Sequence, residues 1–74
     1  MILQTAGKTY AINKPISREN PKRMYIDVKN ANSGEIANTL NVQTATIDGK
    51  PLTGYTRVIS VNQIGSYVRV AIGG

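Results

Sequence analysis

Tyr55-Thr56-Arg57-Val58-Ile59-Ser60-Val61-Asn62-Gln63-Ile64-Gly65-Ser66-Tyr67-Val68-Arg69-Val70-Ala71-Ile72 is the stretch whose reading decides the fold. Two runs rich in β-branched residues, Tyr55–Val61 and Ser66–Ile72, flank Asn62-Gln63-Ile64-Gly65, which has the composition of a turn. That pattern is a hairpin, because branched side chains suit a pleated surface and glycine supplies the backbone freedom of a tight connection. A loop of two or four residues gives the same parity. One face then collects Tyr55, Arg57, Ile59 and Val61 with Val68, Val70 and Ile72, and it is the core face, with Arg57 at its margin. The other collects Thr56, Val58 and Ser60 with Tyr67, Arg69 and Ala71. Val58 and Ala71 are apolar on a nominally polar face, so the hairpin has two sides to cover.

Working back from the hairpin, Gly54 and Pro51 interrupt the chain, and Pro51 confines its segment to a sheet edge. Asp48-Gly49 after Thr44–Ile47 is a turn signal. Residues 35–41 admit two readings. Ile36 and Leu40 stand one helical turn apart behind Asn32 and Glu35, which are spaced for capping. Alternatively, a strand runs on into Val42–Ile47. A helix, if the domain has one, belongs here. Asn30–Gly34 is a loop by composition.

Met24–Lys29 alternates cleanly, with Met24, Ile26 and Val28 on one side, and reads as a half-buried strand. Asn13–Arg23 is polar and basic, broken by Pro15 and Pro21. Ahead of it, Met1–Thr5 and Lys8–Lys14 form a hairpin about Ala6-Gly7, with Leu3 opposite Tyr10 and Met1 opposite Ile12. The expected fold is therefore mainly β: one small antiparallel sheet or barrel of about five to six strands built from hairpins, with one short helix near residues 35–41.

The chain has 74 residues, room for one domain spanning 1–74. A domain of this size has a stability margin of about 4–11 kcal/mol. Cysteine and histidine are absent, which removes disulfides and the thiolate and imidazole ligands of zinc. The four carboxylates, Glu19, Asp27, Glu35 and Asp48, are scattered and make no cage for a hard cation. No catalytic base, nucleophile motif, phosphate loop or dinucleotide fingerprint is present, so the sequence points to no enzyme and no cofactor. There is no long apolar run for a membrane span and no signal-peptide pattern, and the expected setting is cytoplasmic or virion-associated.

The formal net charge is +5. Arg18, Lys22 and Arg23 cluster in one loop, and with Arg69 they are candidate contacts for phosphates or an acidic partner. Tyr67 beside Arg69 suits a sheet face that stacks bases, with Tyr25 as a second aromatic. Tyr67, Val58 and Ala71 together form a candidate docking face.

Gly73-Gly74 after a strand, with Gly7-Lys8-Thr9 in an N-terminal hairpin turn and Ile47-Asp48-Gly49-Lys50 further on, resembles ubiquitin-like modifiers and sulfur carriers. The resemblance implies a carrier conjugated through its terminal carboxylate, with Gly73 and Gly74 as the conjugation terminus. It departs where that family has a long helix after the first hairpin, since Met24–Lys29 has strand periodicity.

Three roles follow. The first is an assembly module contacting other protein subunits, such as a small capsid-associated phage protein. The second is a basic nucleic-acid-binding small β-barrel, and the third the ubiquitin-like carrier. None needs a small-molecule substrate.

Overall fold

The computed structural model describes all residues from Met1 to Gly74. The elements are β1 (Ile2–Thr5), β2 (Lys8–Ala11), β3 (Ile16–Arg18), β4 (Arg23–Val28), α1 (Ser33–Thr39), β5 (Thr46–Ile47), β6 (Lys50–Pro51), β7 (Arg57–Ile64) and β8 (Tyr67–Gly73). The protein is mainly β, with one short helix and two four-stranded antiparallel sheets ordered β2-β1-β5-β6 and β3-β4-β8-β7.

The first sheet grows from two tight turns. Ala6 and Gly7 both take positive φ (50° and 75°), as do Asp48 and Gly49 (51° and 80°). Positive φ at both central residues matches the twist of a two-residue hairpin. Leu3 stands opposite Tyr10 and Thr5 opposite Lys8, the register expected from the sequence. Pro51 lies in β6, at the sheet edge, where its missing N–H costs no ladder bond.

The two sheets share a corner. At the end of β2 the chain adds pairing with β4 while Ile12 N–H still donates to the Met1 carbonyl at 2.9 Å: Lys29 N–H donates to the Ala11 carbonyl at 2.9 Å, and Asn13 N–H to the Asp27 carbonyl at 3.1 Å. After Lys14-Pro15 it continues as β3 along the same β4 strand. This stretch was expected as a polar loop. Ile16, Ser17 and Arg18 are all exposed, so the edge strand they form carries no alternation for sequence reading to find.

One core joins all the layers. Leu3, Ile12 and Ile47 come from the first sheet and its corner; Ile26, Val28, Val68, Val70 and Ile72 come from the second; and Ile36 comes from the helix. The ambiguity at residues 35–41 resolves to helix. Asn32 Oδ1 accepts from the Gly34 and Glu35 amides at 2.8 and 3.3 Å. Glu35 does not reciprocate; its carboxylate accepts from the Tyr10 hydroxyl at 2.6 Å. At the other end, the buried Thr5 hydroxyl donates to the Thr39 carbonyl (3.1 Å) and accepts from Asn41 N–H (3.0 Å). The alternative strand over Val42–Ile47 shrinks to Thr46–Ile47. Asn41 curls the chain before it, its side chain accepting from Gln43 N–H and its carbonyl from Ala45 N–H.

The C-terminal hairpin departs from its expected register at one point. The turn is two residues, Gly65-Ser66, and Val61 faces Val70 as expected. Val58, however, faces Ile72 while Ser60 faces Ala71, so Ile59 is a bulge. One inserted residue reverses the side-chain parity before it. Arg57 and Ile59 therefore leave the core face on which the sequence placed them, and both are exposed.

Candidate functional site

The β3-β4-β8-β7 sheet buries one face and shows the other to solvent. Directly opposed residues in antiparallel strands share a face, so the register lists what the outer face displays. One rung is Arg18, Arg23, Gly73 and Arg57; the next is Ile16, Tyr25, Ala71 and Ser60. Asp27, Arg69 and Asn62 follow, and then Tyr67 with Ile64. Successive rungs lie two residues apart, about 6.8 Å along the strand, so the face is about 20 Å long.

The middle of the face is made of small residues covered by their neighbours. Ala71 and Gly73 carry almost no side chain, and Ala71 is only 5% exposed between its neighbours. A Cβ at Gly73 would meet Arg23 Nη1 and Ile59 Cδ1, each at 3.0 Å, so the absence of a side chain is what lets those two groups lie across the strand. Beside this floor is an open depression of about 490 Å³ lined by Ile16, Arg18, Tyr25 and Arg69. Ile16 is 57% exposed at its rim, and Ile59, on the far strand, 38%.

Charge is distributed unevenly along the face. Arg69 donates from Nε and Nη2 to the two carboxylate oxygens of Asp27 at 2.8 and 3.0 Å. The Arg69 hydrogen bonds hold the Asp27 carboxyl below the ordinary carboxylate range; partial burial opposes this and the guanidinium charge adds to it. The same pairing raises Arg69. Arg69 also lies 5.9 Å from the centroid of the Tyr67 ring. At the other end, Arg18, Arg23 and Arg57 pair with no carboxylate. Arg23 is steadied by donating from Nη1 to the Lys22 carbonyl at 2.9 Å.

Of the residues the sequence singled out, Arg18, Arg23, Arg69 and Tyr67 come together on this face. Lys22 does not join them: its ammonium sits 4.9 Å from the Tyr55 ring centroid, at the turn beyond the sheet end. Val58, Ala71 and Tyr67 do not form one docking face. Ala71 is the buried floor, and the bulge sends Val58 (38% exposed) to the far side, where it borders a groove with Leu40 and Val42. Gly73 is ladder-paired to both Arg23 and Arg57, and Gly74 packs beside the Gly54 carbonyl and Lys22. Asp27, Ile16 and Arg57 are additions that sequence reading missed. Arg57 would have needed the bulge, and Asp27 and Ile16 the β3-β4-β8 pairing.

No three potential metal-ligating side chains gather anywhere. No helix is long and apolar enough to cross a membrane. No protein-family model, curated protein or solved structure matches the chain.

Proposed function

We propose that the protein is a non-catalytic binding module whose exposed second-sheet face holds nucleic acid. The observation that carries this reading is the register: it aligns Arg18, Arg23 and Arg57 on one rung and sets Tyr25, Arg69 and Tyr67 beyond them on the same face. Guanidinium groups suit phosphate oxygens through their forked donors, and tyrosine rings suit bases. Of the two apolar residues that favoured an assembly role in the sequence, Ala71 is accounted for within the monomer by burial, while Val58 stays exposed.

Titration of labelled oligonucleotides, single- and double-stranded, at ~50 mM salt tests the proposal, because attraction between exposed charges is weakly screened there. Binding that weakens with salt and is lost in an Arg18→Glu, Arg23→Glu double variant is expected. Absence of binding to either form refutes it.

A second reading, assembly with other protein subunits as in a virion, draws on a different observation. β7 is an eight-residue edge strand, and from Val58 to Ile64 it has neither charge nor proline, with Val58, Ile59 and Ile64 exposed. Uncharged edges of that kind accept a further strand. Sedimentation at micromolar concentration distinguishes it: a monomer at every concentration removes self-assembly through this edge.

A further inference from the structure

Within the nucleic-acid reading just given, and resting on it, we infer that the face divides its work and so selects single strands. Arg18, Arg23 and Arg57 hold backbone phosphates at one end, while Tyr25, Tyr67 and the plane of Arg69 hold unpaired bases at the other.

The division follows from what each guanidinium already touches. Both oxygens of Asp27 are engaged by Arg69, whose positive charge is therefore offset by a carboxylate within 3.0 Å. A phosphate brought to Arg69 meets a neutral pair and the repulsion of Asp27. What Arg69 retains is a flat, delocalised surface, held in a fixed orientation by two hydrogen bonds and lying over one side of the Tyr67 ring. Such a plane stacks well. Arg18, Arg23 and Arg57 lack any carboxylate partner and keep their full charge. Their rung is one step from Tyr25 and three from Tyr67, so a strand lying along the sheet meets phosphate sites first and ring faces after.

A duplex cannot use the second half of this face. Its bases are stacked inside the helix and present only edges, whereas an unpaired base offers the ring face that Tyr25 and Tyr67 would contact. Both tyrosines are half-buried, so each keeps some exposed surface. The open depression lined by Ile16, Arg18, Tyr25 and Arg69 gives an unstacked base room to lie against the sheet.

The experiment is fluorescence anisotropy with a labelled oligothymidylate of about twelve nucleotides, within the ~4–16 that a small β domain covers, and a duplex of equal length as competitor. The single strand should bind more tightly than the duplex. Tyr67→Ala should weaken it roughly 5- to 150-fold, and Tyr67→Phe, which keeps the ring, should restore it. The logarithmic salt slope on the single strand should be about −2, from three phosphate contacts at ~0.7 each. Asp27→Asn frees the Arg69 charge and should steepen the slope to about −3. That variant keeps the side-chain shape, so it reads the division even where Tyr67→Ala fails to fold. Equal or tighter duplex binding, an unchanged slope in Asp27→Asn, or indifference to a folded Tyr67→Ala overturns the division and leaves nucleic-acid binding standing. No binding of either form overturns both.

Discussion

Asp27 on β4 and Arg69 on β8 face each other across the second sheet, two nitrogens of one meeting two oxygens of the other at 2.8 and 3.0 Å. The two residues are 42 positions apart in the chain. Their bond joins the strand that follows the basic edge to the strand beside it in the sheet. It also decides which cations of the outer face remain unneutralised.

The pair makes stability depend on acid in a defined direction. The folded-state pKa of Asp27 lies below its ordinary value, chiefly through the Arg69 hydrogen bonds. The carboxylate therefore stabilises the fold fully above the unfolded value of about 3.9, and that contribution is lost as pH falls through the lower folded value. Thermal melts from pH 7 to about pH 2 should show the native chain losing stability more steeply below about pH 4 than Asp27→Asn does. Parallel curves would show that the pair contributes nothing.

Charge insertion separates the two faces of the C-terminal hairpin. Val70 has no exposed surface, so Val70→Asp leaves a carboxylate without a partner in the core and should cost about 3 kcal/mol or more. Against a margin of about 4–11 kcal/mol, much of the population would unfold. Thr56 is exposed, and Thr56→Asp should cost under about 1 kcal/mol. Urea unfolding measures both. Ala71→Asp, harmless if that position faced solvent, is instead expected to destabilise, because Ala71 is 5% exposed opposite Tyr25 and Ile59 is close by over Gly73.

Helix docking depends on one hydroxyl. Thr5 is buried, donates to the Thr39 carbonyl and accepts from Asn41 N–H. Thr5→Val keeps the shape and strands both backbone groups, at a cost of about 1–3 kcal/mol. Thr5→Ser keeps both bonds and should lose less. Equal losses in chemical denaturation would assign the effect to packing of the methyl group instead.

Gly54 sits at φ +90°, with Lys22 Nζ 2.7 Å from where a Cβ would stand. Gly54→Ala should cost about 1–2 kcal/mol from the left-handed backbone alone. Adding Lys22→Ala removes the crowding but not the backbone strain, so it should restore little of the loss. Full restoration in the double variant would make the lysine, not φ, the cause.

Much of the fold was legible because local chemistry dictated it. Ala6-Gly7 and Asp48-Gly49 announce two-residue turns, Met24–Val28 alternates as a half-buried strand must, and the spacing of Asn32 and Glu35 allowed a helix start without excluding a strand. The bulge at Ile59 was not legible, since an inserted residue carries no compositional mark, and with it went the facing of Arg57, Val58 and Ile59. The ingredients of the candidate site on the outer face were visible as Arg18, Arg23, Arg69 and Tyr67. Their convergence was not, because it depends on β4 lying between β3 and β8, a pairing between distant segments that no local signal encodes.

The place of β8 has a consequence for synthesis. It is the last strand of the chain described, yet it lies inside the second sheet, with β4 on one side and β7 on the other. A nascent chain that has emerged only as far as Ile64 holds Ile26 and Val28 on a strand still missing its central neighbour. The β3–β4 hairpin alone is too small to persist in water. Folding of this sheet is thus withheld until residues 67–73 leave the ribosome, and it then closes through long-range pairing, which is slow compared with helix or hairpin formation. During that interval the uncovered edge of β4 is open to pairing with other chains, and the final seven-residue strand is what removes the hazard.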